Sequence, residues 1–147
     1  MNKTAIVEAV CVSQVKGTKK SDVGKAVLVS GSGIEGDGHA DSRTHRQVSL
    51  LSVSSIEKMK KLGLEIKPGD FAENITVSGL EVFSLPIGTR IKIGDEAILE
   101  ITQIGKECHD HCAIFKTVGT CIMPVEGVFA RVITGGEVST GNTIELI

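Results

Sequence analysis

The 147 residues are expected to fold as a mainly β domain, a compact antiparallel β-barrel-like structure with one or a few short helices. Three observations predict it. Strand-length apolar runs recur roughly every ten residues and are separated by glycine-rich turns. The core must come from Val, Ile and Leu, since there is no Trp or Tyr and only 4 Phe, and β-branched side chains favour strands. Seventeen glycines against 3 prolines indicate tight turns rather than linkers. A chain of this length buries enough surface to stand as one domain over residues 1–147 without disulfides or a structural metal.

Taken in order, residues 5–13 form an apolar run, and Cys11 within it reads as a small buried hydrophobe. Lys16 to Lys25 is polar and turn-rich, and Ala26–Ser30 is a short strand. The loop Gly31-Ser32-Gly33-Ile34-Glu35-Gly36-Asp37-Gly38-His39 follows. Its four glycines permit positive φ and close backbone approach, either as a plain turn or as a loop presenting Asp37 and His39 to a site. No Lys-Ser/Thr and no helix pattern follows, which argues against a phosphate-binding P-loop or dinucleotide turn. The stretch Asp41-Ser42-Arg43-Thr44-His45-Arg46-Gln47 carries donors and no apolar residue. It is either a solvated rim or an anion-binding mouth to the strand Val48–Val53.

A helix is predicted over 54–62, with Ser54 and Glu57 as a capping box, Ile56, Met59, Lys60 and Leu62 along one edge, and Gly63 as its stop. Pro68-Gly69-Asp70 is a turn, and Phe71–Val77 is expected to be extended, with Glu73 and Asn74 at its entrance. After Leu80–Leu85 and the turn Pro86-Ile87-Gly88, the runs Thr89–Ile93 and Ile98–Ile104 predict an antiparallel hairpin. Gly127–Ile133 and Thr143–Ile147 are expected to form a last strand pair around Gly135-Gly136.

Net charge is −2, which leaves no polyanion-binding footprint. Residues 1–7 lack an apolar signal core, and no run approaches the length of a membrane span. Four cysteines at irregular spacing read as thiols in a reducing, cytoplasmic setting.

Chemistry concentrates in Gly105–Phe115, where Cys108, His109, Asp110, His111 and Cys112 crowd together directly after a strand, with Cys121 nearby. Several readings fit the residue types. A structural zinc site would need further ligands from Cys121, His39 or His45, because neither an extended nor a helical run directs a full ligand set to one side. A Cys–His hydrolase would need an orienting group behind the base. A redox pair is poorly served by Cys-x3-Cys spacing. The fourth reading is a single thiolate that ligates a cofactor metal or carries sulfur, beside an anion pocket built from Arg43, Arg46, Arg131 and the glycine loop.

Short motifs in order along nearly the whole chain bear on this choice. They are Gly36-Asp37-Gly38-His39-Ala40, His45–Leu51, Pro68–Thr76, Leu85–Gly88, Gln103–His109, Cys112–Phe115 and Gly127–Val132, ending with Gly135-Gly136 and Gly141. Together they make the chain resemble the MOSC domain, the C-terminal domain of molybdenum-cofactor sulfurases. The resemblance implies a β-barrel-like fold and one key cysteine that binds molybdenum cofactor or handles sulfur. Cys112, followed by Ala113-Ile114-Phe115, best matches that position as catalytic residue and metal ligand, with Cys108 as an additional thiol. It also implies cofactor-binding roles for Gly36, Asp37, Arg46, Glu73, Asn74 and Arg131, to which residue chemistry adds His39 and His45. The aminotransferase-like sulfurase domain and the N-terminal barrel of larger relatives are not in this sequence. The expected partners are therefore a cysteine desulfurase or another sulfur donor, and a cofactor-assembly or electron-transfer protein. Pyridoxal phosphate enters only through such a partner, since no lysine here sits in a Schiff-base context. A persulfide carrier and a small zinc module remain the alternative functions.

Overall fold

A computed structural model describes residues 5–13, 20–38, 40–61, 63, 65–105 and 126–147. In chain order the strands are β1 (Ala5–Val12), β2 (Ser21–Asp22), β3 (Lys25–Val29), β4 (Gly33–Ile34) and β5 (Val48–Ser52). The helix α1 (Val53–Lys60) follows, then β6 (Ile75–Ser78) and a 3-10 turn over Val82–Ser84. The remaining strands are β7 (Arg90–Ile93), β8 (Ala97–Ile104), β9 (Val128–Thr134), β10 (Gly136–Ser139) and β11 (Thr143–Leu146). Seven of them close a barrel in the order β11-β7-β8-β9-β5-β6-β1, with β1 returning to β11 through Ala5↔Ile144. Closure removes the unpaired edges that an open sheet would present. A smaller sheet, β10-β3-β4, sits beside the barrel.

The predicted β-barrel is what forms, and alternation explains its interior. In β8, Ala97, Leu99 and Ile101 are buried while Ile98, Glu100 and Thr102 face outward. In β9, Val128, Ala130 and Val132 pack into the same interior. A second apolar layer, Leu51, Ile56, Met59, Phe71 and Phe129 among its members, lies between α1 and the outside of the barrel. The strand β5 feeds both layers, with Val48 and Leu50 inward and Leu51 toward the helix. Its pairing with β6 is parallel, as expected where a helix makes the crossover. The predicted β7–β8 hairpin is antiparallel, with Gly94 at φ +66° in its turn.

Three local expectations are corrected. The helix begins one residue early, so Ser54 lies inside its first turn and the Ser54–Glu57 capping box does not form. The N-cap position falls to Ser52, whose hydroxyl instead donates to Leu80 O at 2.8 Å and accepts from Val82 N at 2.8 Å. The extended run expected from Phe71 starts only at Ile75, because Phe71–Asn74 is a turn in which Ala72 takes φ +65°. The expected last pair also separates, since β9 joins β8 and β5 whereas β11 joins β7 and β1. Gly135 and Gly136 divert the chain onto β3, and a Cβ on Gly135 would come within 2.6 Å of Leu28 O.

Candidate functional site: a cationic cleft beside the barrel

The loop from Gly31 to Gln47 is laid against the edge of β9. Its return requires glycine at position 33, where φ is +135° and a Cβ would meet Gln47 O at 2.6 Å. Gln47 is the fastener. Its Nε2 donates to Gly31 O at 2.9 Å and Thr44 O at 3.1 Å, and its Oε1 accepts from Val132 N at 3.0 Å. Gly31 N donates to Val132 O at 2.9 Å, and Ser30 Oγ donates to Ile133 O at 2.9 Å. Between the two ends of this loop and β9 opens a cleft of about 590 Å³, whose walls include Ser42, Arg43, Thr44, His45, Gln47 and Arg131.

Charge in and around the cleft is set by register. Glu100 of β8 stands across from Arg131 of β9 on one side and Arg90 of β7 on the other. Its carboxylate accepts from both, from Arg131 Nη2 at 3.1 Å and from Arg90 Nε at 3.2 Å. Arg43 is fully exposed and held by Asp41, at 3.0 Å and 3.2 Å, and this pairing pushes its guanidinium pKa up. Arg46 donates to the neutral Gln103 at 3.0 Å and lies 5.5 Å from the centre of the Phe129 ring. Of these arginines, Arg43 and Arg131 line the cleft, each paired with one carboxylate, and Arg46 and Arg90 flank them among the described residues.

His45 and Arg131 thus share one cleft, and Arg46 adjoins it. Gly36 is exposed at φ +85°. Asp37, Glu73 and Asn74 lie elsewhere, in the interior. Asp37 is ion-paired to Lys20 Nζ at 2.7 Å, with both side chains fully buried, and accepts from Ser13 N at 3.1 Å. Lys20 also joins two turns, since its own N donates to Gly69 O at 2.8 Å. Asn74 Oδ1 accepts from Ser49 N at 2.9 Å, and its Nδ2 donates to Cys11 O at 3.1 Å, tying β1 to β5. Glu73 is fully buried and accepts from Phe71 N at 3.2 Å and Thr76 Oγ1 at 3.1 Å. Burial pushes its carboxyl pKa up, outweighing those hydrogen bonds. Burial, and after it the nearby Glu73 carboxylate, drives the Cys11 thiol up to about 12.

His39, Cys108, Cys112 and Cys121 lie outside the described residues. The flanks of the cysteine segment do not. Gly105 N donates to Gly127 O at 2.7 Å, Gln103 Nε2 donates to Gly105 O at 2.8 Å, and Glu126 binds Ser55 and Lys58 of α1 at 2.6 Å each. Both ends are thus fastened at the end of the β8–β9 ladder, where Gln103 holds Arg46. Among the described residues no group of three or more His, Cys, Asp or Glu side chains could hold a metal ion.

Lys20, Gln47 and Thr102 organise this region without having been expected to. A polar residue just before a buried strand was the one available signal for Gln47. Lys20 and Thr102 gave none, because their partners come from distant parts of the chain.

The fold is shared with bacterial proteins of known structure. The YuaD protein from Bacillus subtilis superposes with a TM-score of 0.78 over 97% of this chain and 95% of that one, at 24% identity. YiiM from Geobacillus stearothermophilus gives 0.72 at 16% identity, covering 97% of this chain and 75% of that one. YiiM from Escherichia coli gives 0.66 at 20%, covering 100% and 70%. No curated protein matches the sequence. The family model described as the MOSC domain matches residues 35–145, and the chain belongs to the MOSC domain family.

Proposed function

We propose that this MOSC domain binds molybdenum cofactor, or its sulfur, through Cys112, with the cleft between the Gly31–Gln47 loop and β9 receiving the anionic part of the cofactor. The observation that carries this reading is the cleft wall itself, where two exposed guanidiniums, Arg43 and Arg131, stand with the hydroxyls of Ser42 and Thr44 and the His45 ring. The donor set fits an oxygen-rich anion. Arg43 and Arg131 offer planar guanidinium forks and Ser42 and Thr44 offer hydroxyls, and the exposed pairing of each arginine with a carboxylate leaves its remaining donors open to an anion.

When bound, molybdenum cofactor supplies a metal centre able to take a thiolate or sulfur ligand. The residues of this chain then have separable tasks. Arg43 and Arg131 bind and orient the anionic group, and Arg46, 5.5 Å from the centre of the Phe129 ring and bonded to Gln103, adds field near the end of β8. That positive field favours thiolate over thiol in a cysteine facing it. Gln47 holds the loop to the strand so that the two walls keep their spacing. Asp37, Glu73 and Asn74 support the fold under the loop rather than lining the cleft. The interior Cys11, with its thiol pKa raised, is unsuited to nucleophilic work, which leaves the cysteines between 108 and 121 for it.

Transfer of cofactor from a carrier protein to wild type and to Cys112→Ser tests the assignment. Molybdenum is expected to stay with the wild type and to be lost from the variant on gel filtration, and equal retention would overturn the reading. Incubation with a cysteine desulfurase, followed by mass spectrometry, separates cofactor binding from persulfide carriage at Cys108 or Cys112.

A further inference from the structure

The His45 ring is held by a hydroxyl whose own proton is committed elsewhere. Its Nδ1 is 3.0 Å from Thr102 Oγ1, and that same oxygen lies 3.0 Å from His45 O and 3.2 Å from Phe129 O. A threonine hydroxyl has one proton, and backbone carbonyls can only accept. If the hydroxyl donated to Nδ1, two carbonyl oxygens would face its lone pairs at hydrogen-bond distance with nothing between them. With the hydroxyl proton directed at a carbonyl and the imidazole proton on Nδ1, the ring contact and one carbonyl contact are attractive, and one oxygen–oxygen approach is left instead of two. The second assignment is the one that the geometry favours. It leaves Nε2, on the opposite side of a neutral ring, without a proton. His45 is exposed and forms part of the cleft wall with Arg43 and Arg131.

The geometry points to Thr102 as a positioning residue that fixes His45 in the Nδ1–H tautomer, so that Nε2 gives the arginine-walled cleft a fixed acceptor without a proton of its own and selects ligands that join an anionic group to an N–H or O–H donor. A site of guanidiniums and hydroxyls binds any oxyanion of suitable size. Adding one lone pair changes that, because an anion without a proton then meets Nε2 through its own lone pairs, whereas a protonated one donates to it. The argument rests on the cleft being the ligand site proposed above, but the tautomer itself does not depend on any ligand.

Two measurements test it on the intact chain. Long-range ¹H–¹⁵N correlation of the imidazole at mildly alkaline pH is expected to show Nδ1 protonated and Nε2 bare in wild type and in Thr102→Ser. Thr102→Val, which removes the hydroxyl at nearly constant shape, is expected to move the proton to Nε2. An Nε2–H ring in wild type would overturn the inference outright, whether or not the valine variant folds. The second measurement compares hydrogen phosphate dianion with sulfate, which match in charge and size but differ by one O–H. Titration monitored at the His45 resonances should give wild type a preference of roughly 3- to 10-fold for hydrogen phosphate. Thr102→Val should abolish that preference and Thr102→Ser should keep it. Equal binding of the two anions, or binding of neither, overturns the selectivity while leaving molybdenum retention at Cys112 as a separate question. Conversely, equal molybdenum retention by wild type and Cys112→Ser removes the functional reading and leaves the tautomer standing.

Discussion

Asp37 belongs to the glycine loop, yet its carboxylate is fully buried against an equally buried Lys20 ammonium at 2.7 Å. Removing one partner strands the other charge in the interior, which costs about 3–5 kcal/mol. Removing both exchanges an ion pair for apolar bulk, which is often neutral. Among the described contacts, the double variant also takes the Asp37 oxygen from the Ser13 N–H it bonds at 3.1 Å, a cost of about 1–3 kcal/mol. Lys20→Met and Asp37→Asn should each lower stability by about 3–5 kcal/mol, while Lys20→Met/Asp37→Leu should sit about 1–3 kcal/mol below wild type. For a domain of this size the single variants correspond to a drop in Tm of roughly 6–20 °C. Urea denaturation of the four proteins gives the coupling energy directly, expected to be several kcal/mol and of rescuing sign. Additive losses, with the double variant the least stable of the set, would refute the assignment of Asp37 to the interior framework. A double variant that is stable but fails to retain molybdenum would show that Asp37 also acts on the ligand.

Gln47→Leu should cost about 2–4 kcal/mol in a urea melt, since it leaves the buried Val132 N–H without an acceptor and releases the loop carbonyls of Gly31 and Thr44. Glu73 carries a pH signature. Its folded pKa is raised by burial, so the folded state holds a proton that the unfolded chain has already lost. Its contribution to stability is therefore present at low pH and is lost as pH rises through the folded value. The urea midpoint of Glu73→Gln should lack this fall, and parallel pH profiles for the two proteins would contradict it. Cys11, with its thiol pushed up to about 12, should stay unlabelled by iodoacetamide in the native protein at mildly alkaline pH and label only on unfolding, as peptide mapping would report. Arg131→Met should slow alkylation of Cys112 near neutral pH and shift its profile to higher pH with little loss of stability; an unmoved profile would mean that Arg131 only pairs with Glu100.

The barrel was legible because alternation in runs such as Ala97–Ile104 places apolar side chains on one face, and closure then needs no information beyond strand count and turns. The strand β10 was not, because Gly136-Glu137-Val138-Ser139 contains one apolar residue and owes its pairing to β3 rather than to its own pattern. The false capping box has a similar origin. Ser54 and Glu57 carry the right spacing, but the chain enters the helix straight from β5, and Ser52 is occupied by the turn at Leu80–Val82. At the site, the arginines and His45 were visible as donors in an apolar-free stretch. Which of them would converge depended on register, and the Glu100↔Arg131 pairing is not written in either strand alone. Nothing in the polar run before β2 marked Lys20 as the partner of Asp37. A buried ion pair between two loops has no periodicity to betray it.

That pairing of Arg131 with Glu100 does not close the cleft to anions. Arg131 commits one guanidinium nitrogen to the bridge, and its side chain keeps 49% of its exposure. A half-exposed pair of this kind is worth about 0–1 kcal/mol, because water competes for both partners. Glu100 is moreover divided between two arginines, so an arriving dianion can take Arg131 while Arg90 keeps the carboxylate neutralised. The bridge then does two things at once. It aligns the guanidinium along the outer face of β8 and β9 before any ligand arrives, and it gives way at small cost when one does. A pair buried like that of Lys20 and Asp37 could do the first but not the second. Along this chain the buried pair supports the loop and the half-exposed one lines the cleft proposed to receive the ligand, a division set by solvent access and not by residue type.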